Sequence, residues 1–335
     1  MRAVVLYRGG NPDALKPEDV PLPEPGPGMA RVRLKAAGMN HRDLWQRKSY
    51  PGPGPMILGS DGAGVVEQVG SAEDAEWVGH NVVINPSLYW GDREDAPGPG
   101  YQILGNPTPG TYAEAVVVPT ANLSRRPEHL SFEQAAGLPL AGLTAWRALF
   151  TQGALRAGQT LLLPGIGSGV AGMALTFAKR AGVRVIVTSS SEEKLESARK
   201  QGADFAANYT DDQWENRVRT FANAGGIDLV LDHTGEKTLP AALRLVRSGG
   251  RIVFLGATTG TQMVLNLRDA FFKQVHLVGT TMGSPREFQA MVRFVEHHRI
   301  PLEMHHTYPL AEAAEAHRFM DGGRQYGKIV LTIAD

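Results

Sequence analysis

The chain contains no cysteine. Disulfides, thiolate nucleophiles and every zinc site built on sulfur are thereby excluded. Neither sign of charge is in excess, because 34 Lys and Arg balance 34 Asp and Glu, and no basic run breaks that balance. Electrostatic capture of nucleic acid or of an anionic membrane surface is not expected of such a chain. The N-terminal stretch MRAVVLYRGGNPDALKPEDVPLPEPGPGMARVRL has no apolar run long enough for a signal peptide or a membrane span. The expectation is a soluble cytoplasmic protein with neither nucleic-acid nor membrane partners.

At 335 residues and 42% hydrophobic content, the chain is too long for one ordinary core. It is better read as two domains of roughly 100–200 residues each. As far as about residue 130, glycine and proline separate short β-branched runs: RAVVLY, ARVRLKAAG, AGVVEQV, HNVVIN and AEAVVVP. Strands joined by turns, with no helix between them, predict an antiparallel barrel-like unit. From about Gly142 the runs TLLLPG, VRVIVTS, FAANY, IDLVLDHTG, RIVFLGA and VHLVGTT alternate with helical segments such as SEEKLESARKQG and EKTLPAALRLVRSGG. That alternation predicts an α/β unit with a parallel sheet covered on both faces. The C-terminal stretch returns to strand, amphipathic helix and strand, and is expected to rejoin the first unit.

The strongest chemical signal is TLLLPGIGSGVAGMALTFAKRAG, where an apolar strand runs into glycines and then an alanine-rich helix. Gly167-x-Gly169-x-x-Gly172 has the spacing of a dinucleotide loop. Glycines there let the backbone approach a pyrophosphate, and the helix N-terminus offers free N–H groups. The end of the next strand, VRVIVTSSSEEK, lacks the acid that would bind a ribose 2′-hydroxyl; it offers Thr188, Ser189, Ser190 and Ser191, with Lys194 close behind. Hydroxyls and an ammonium suit a 2′-phosphate, so NADP(H) is the expected cofactor. Ser190 and Glu193 also fit a capping box, which would be useful with no ligand present.

This order of parts, with AAGMNHRDLWQRKSYPGPGPMILGSDGAGVVEQVG, GTYAEAVVVP, AAGLPLAGLTAWRALF, the phosphate loop and LAEAAEAHRFMDGGRQYGKIVL, resembles the medium-chain dehydrogenase/reductase superfamily over essentially the whole chain. The resemblance implies a GroES-like catalytic domain over residues 1–138 and 285–335 and a doubly wound Rossmann domain over 139–284. It also implies a substrate cleft between the domains. Zinc-dependent members carry a cysteine ligand where this chain has Asn40, His-Glu where it has Ser60-Asp61, and commonly a second cysteine near Leu140. None of the three is a usual zinc ligand. The segment matching the structural-zinc lobe, PSLYWGDREDAPGPGYQILGNP, also lacks cysteine. Metal ligands are therefore expected to be none. His41, Asp43 and Asp61 remain as a non-standard metal alternative, because zinc accepts imidazole and carboxylate. His297, His298, His305 and His306 are expected to be surface histidines.

The zinc-free members that this chain looks like resemble NADPH:quinone oxidoreductase. The resemblance implies hydride transfer to a small-molecule quinone or α,β-unsaturated carbonyl. Asn40 and Tyr50 would line the nicotinamide pocket, and His41 is the nearby group able to relay a proton near neutral pH. Toward the cofactor, the resemblance places Thr144 beside the nicotinamide and Gly167, Ser168, Gly169 and Val170 along the pyrophosphate. It puts Lys194 and Tyr209 at the 2′-phosphate, beside the Ser189 and Ser190 read above, and Thr234, Gly235, Leu255 and Gly256 at strand ends. Ala171 stands where relatives commonly have the last glycine. An alcohol dehydrogenase or aldehyde reductase of the same fold, and a non-catalytic NADPH-binding sensor or structural protein, remain as alternatives. A homodimer is expected through the edge strand near Val275 to Thr281.

Overall fold

The computed structural model describes residues 1–334. The chain divides into two compact units, one of residues 1–143 with the segment from Gly283 onward, the other Thr144–Met282.

In the first unit a sheet is built around the ten-residue strand Met29–Gly38, whose alternating Val, Leu and Ala residues face inward. This strand pairs antiparallel with Asp61–Val69, Ala115–Pro119 and the C-terminal strand Lys328–Thr332. Two of these registers decide the chemistry. Gly38 lies opposite Asp61 in one pair and opposite Val330 in the other. Two residues beyond Gly38 the chain reaches Asn40, and two residues before Val330 it reaches Lys328, so three polar residues from remote parts of the sequence converge at one strand end. The C-terminal segment joins this sheet after the helix Pro285–His297, the strand Met304–Pro309 and the helix Ala313–Asp321. The core beneath is apolar, with Leu34, Leu58, Ile84, Leu104 and Tyr112 fully buried.

The second unit is a six-stranded parallel sheet in the spatial order Phe205–Asn208, Arg184–Ser189, Thr160–Leu163, Ile227–Asp232, Val246–Phe254, His276–Gly279. The first strand in the sequence is central and the order reverses there, which makes a doubly wound sheet with a switch point at that strand's C-terminal end. The strands Thr160–Leu163, Arg184–Ser189 and Ile227–Asp232 are largely apolar and buried, as expected where helices cover both faces. The segment EKTLPAALRLVRSGG is less helical than its spacing predicts: the helix covers Leu239–Leu245 only, and Val246 is already extended. Pairing of Val246 with Ile227 takes over there, so sheet formation overrides local propensity. Among the described residues no helix is long and apolar enough to cross a membrane.

Candidate active site

The helix His41–Ser49 begins immediately after the strand Met29–Gly38, with Asn40 as its N-cap. The backbone N–H of Asn40 donates to Asp43 Oδ2 at 2.8 Å, and Tyr112 Oη donates to the same oxygen at 3.0 Å. Burial pushes the Asp43 carboxyl up to about 6, against the opposing pull of the Arg42 guanidinium and the Asn40 N–H. Asp43 is thus committed to closing the helix and to the tyrosine.

Asp61 is fully buried and has both oxygens engaged. Oδ1 accepts the backbone N–H of Leu140 at 2.7 Å; Oδ2 accepts Asn40 Nδ2 at 3.0 Å and Lys328 Nζ at 2.9 Å. Lys328 also donates to Asn40 Oδ1 and to the Met39 carbonyl, each at 2.7 Å, so its three N–H bonds are all used. Ser60 donates to the Leu104 carbonyl at 2.7 Å and accepts from Arg42 Nη1 at 3.0 Å. A buried ammonium and a half-buried guanidinium therefore stand among the residues that the sequence resemblance sets against a zinc site. A metal ion does not fit here, because it would need donor lone pairs that Lys328 already holds with a positive charge of its own. Among the described residues no group of three or more His, Cys, Asp or Glu is placed to hold a metal, the set of His41, Asp43 and Asp61 included.

Of the other candidates in this unit, His41 opens the helix and is half-buried. Tyr50 ends it, packs its ring on the core and donates a long hydrogen bond of 3.4 Å to the Gly54 carbonyl within the PGPGP loop. No hydrogen bond joins Tyr50 to Asn40. Arg42 and Lys328 are the polar members that sequence reasoning missed. Each sits in a quoted stretch, but only the folded chain shows what it meets.

In the second unit the strand Thr160–Leu163 turns through Gly165 to Gly167 into the helix Gly169–Arg180. Ser168 caps that helix, its hydroxyl accepting the Ala171 N–H at 3.1 Å. Gly167 has φ of +130°, and a Cβ there would lie 2.9 Å from Lys194 Cδ. The lysine stem therefore lies against the glycine turn, and burial lowers the pKa of its ammonium. The glycine spacing itself is partly misleading. A Cβ at Gly172 would meet nothing within 4 Å, whereas Ala171 is fully buried, so Ala171 holds the helix-packing position.

The capping box of Ser190 and Glu193 does not form. Ser191 is the N-cap, accepting the Lys194 N–H at 3.3 Å, while Ser190 Oγ accepts from Tyr209 Oη at 3.1 Å. Three serines in a row leave the cap undetermined by one residue, and the strand end resolves it. Ser190 and Tyr209 are left bonded to each other, with Ser189 Oγ accepting the Ser191 N–H. At the facing strand end, Asp232 Oδ1 accepts the N–H groups of Thr234 and Gly235 at 2.9 and 2.8 Å. Leu255 bonds back to the Asp232 carbonyl, and Gly256 lies so close to His233 that a Cβ would fall 2.1 Å from its carbonyl oxygen. Thr144 is buried, its hydroxyl 3.7 Å from Met282 Sδ. A helix N-terminus facing the switch point of a parallel sheet, after a turn in which Gly165 and Gly167 have φ of +71° and +130°, fits a dinucleotide.

These two units define a pyridine-nucleotide oxidoreductase fold. Residues 26–128 match the alcohol dehydrogenase GroES-like domain, and residues 169–297 match the zinc-binding dehydrogenase family. The chain is 36% identical to a zinc-type alcohol dehydrogenase-like protein of Schizosaccharomyces pombe, over 96% of each chain. It is 34% identical to a quinone oxidoreductase of Pseudomonas aeruginosa, again over 96% of each. Among solved structures, an NAD-dependent alcohol dehydrogenase is 42% identical over the whole of both chains, with a TM-score of 0.93. The chain belongs to the medium-chain dehydrogenase/reductase superfamily.

Proposed function

We propose that this protein is an NADPH-dependent reductase of quinones and α,β-unsaturated carbonyls that works without zinc. One observation supports the reading: Lys328 donates to Asn40 and Asp61 and supplies the local positive charge where the resemblance, with Asn40, Ser60 and Leu140 at its zinc-ligand positions, would set a metal. Alcohol oxidation in this fold relies on a metal to stabilise an alkoxide. Quinones and enones are electron-poor, and the charge left after hydride addition is delocalised, so hydrogen bonds suffice.

A bound NADPH would supply the hydride. Gly167, Ser168, Gly169 and Val170 would hold its pyrophosphate against the helix N-terminus; Ser189, Ser190, Lys194 and Tyr209 would hold the 2′-phosphate. Thr144, Thr234, Gly235, Leu255 and Gly256 would line the remainder. Asn40 offers an amide N–H to the acceptor oxygen, His41 relays a proton to it, and Tyr50 shapes the pocket wall. A second reading, an NADH-dependent alcohol dehydrogenase or aldehyde reductase, is favoured by similarity to the NAD-dependent alcohol dehydrogenase structure. Steady-state rates on quinones, enones, aldehydes and alcohols, each with NADPH and NADH, separate the two. Tight NADPH binding without turnover of any of them would favour a sensor or structural protein instead.

A homodimer belongs to the same proposal. The outer strand His276–Gly279 pairs on one side only, and Leu267, Phe271 and Phe272 close by are exposed. An uncovered strand edge beside exposed aromatics favours pairing with a second copy. Sedimentation giving a monomer mass would contradict this.

A further inference from the structure

The ammonium of Lys328 is held by three acceptors, and the two that are side chains also bond each other. Asn40 Oδ1 accepts from Lys328 at 2.7 Å, while Asn40 Nδ2 donates to Asp61 Oδ2 at 3.0 Å. An ammonium can only donate and a carboxylate can only accept. The carboxamide between them therefore has one orientation: oxygen toward lysine, nitrogen toward aspartate. Of the two N–H bonds on Nδ2 this arrangement uses one and leaves the second with no acceptor among the described residues. Lys328 and Asp61 have side chains 5% and 0% exposed, so water does not compete for these bonds.

We propose that Lys328 is a positioning residue: its buried ammonium replaces a metal ion as the fixed cation of the site and sets the orientation of the Asn40 carboxamide, with Asp61 as the second half of the clamp. The consequence for turnover rests on the reading in which Asn40 donates to the acceptor oxygen; the orientation of Asn40 does not. A cation that is part of the chain cannot be lost to a chelator and offers no open coordination position, so it acts on substrate only through the amide it holds.

The test has one arm for each. In the first, the side-chain NH2 group of Asn40 is observed by NMR in protein labelled with 15N-asparagine, assigned by its disappearance in N40A. The comparison variant is D61N/K328M, which removes both buried charges together and puts at 61 an amide that both donates and accepts. Solvent exchange of the Asn40 NH2 group is expected to quicken at least tenfold in this variant. Unchanged exchange would overturn the proposal. In the second arm, kcat with NADPH and 1,4-naphthoquinone is expected to fall at least tenfold in D61N/K328M, with KM for NADPH within twofold of wild type. N40A/D61N/K328M should be no slower than N40A alone, because the clamp acts through Asn40. Losses that multiply would show that Lys328 acts otherwise and would overturn the proposal. Should N40A keep wild-type kcat, the role of Asn40 in catalysis falls while the exchange arm still decides the clamp. If D61N/K328M does not fold, K328R serves in both arms. It keeps the charge, but a planar guanidinium cannot direct three donors from one atom, so exchange should quicken and kcat drop about tenfold. Wild-type behaviour of K328R in both arms would overturn the proposal.

Discussion

Lys328 Nζ lies 2.9 Å from Asp61 Oδ2, a buried ion pair linking the strand Lys328–Thr332 to the strand Asp61–Val69. Breaking such a pair from one side strands a charge away from water. K328M is therefore expected to lose about 3–5 kcal/mol of unfolding free energy in urea. D61N/K328M should lose markedly less, because no charge is left unpaired. Equal losses in the two variants would show that packing of the lysine stem, not charge, is what counts.

His317 predicts an acid sensitivity. It is fully buried, its ring meets Tyr112 edge-on, and neither ring nitrogen has a hydrogen-bond partner among the described residues. Burial, with help from Arg47, pushes its pKa down from 6.5 to about 3, against the pull of Asp321. The folded value lies below the unfolded one, so the contribution is complete above about 6.5 and is lost as the pH falls toward 3. Between pH 7.5 and pH 5 this amounts to about 2 kcal/mol. Asp43, raised to about 6, acts in the opposite direction, but it is present in both proteins when wild type is compared with H317F. H317F is expected to gain about that amount on wild type over this interval. Parallel profiles would contradict the assignment.

The two glycines of the phosphate loop should behave oppositely. G167A forces a side chain into φ of +130° and against Lys194, at a cost of about 1–3 kcal/mol, and should weaken NADPH binding by calorimetry. G172A enters open space on a helix and should stabilise by up to about 1 kcal/mol, with NADPH binding unchanged.

Cofactor choice is expected to reside in Ser190 and Lys194. K194A should raise KM for NADPH at least tenfold and leave that for NADH within twofold, since only the 2′-phosphate differs. S190E places a carboxylate beside Tyr209 and should turn the preference toward NADH. A wild-type enzyme that prefers NADH, with both variants neutral, would contradict the 2′-phosphate reading.

The two-unit α/β architecture was legible because apolar runs and glycine corners are local features, and the parallel sheet follows from them. That Asn40, Ser60 and Leu140 stand where the resemblance sets zinc ligands was read from the sequence for the same reason. What meets them was not. Lys328 is separated from Asp61 by 267 residues, and only antiparallel pairing through Gly38 brings the two together. Ser60-Asp61, which stands where the resemblance sets His-Glu, is held by remote parts of the chain: the serine by Arg42 and Leu104, the aspartate by Asn40, Leu140 and Lys328. The serine run at 189–191 misled by one residue because any of the three could cap the helix, and Tyr209 decides which is spared.

The central claim is that reduction proceeds with the chain's own cation in place of zinc. Its most direct measurement is the rate of NADPH oxidation with 1,4-naphthoquinone by protein stripped of metal with a strong chelator, before and after zinc is restored. The expected result is full activity in the stripped protein, within twofold of the starting rate, and no gain on adding zinc. Activity that vanishes with the metal and returns with stoichiometric zinc would contradict it.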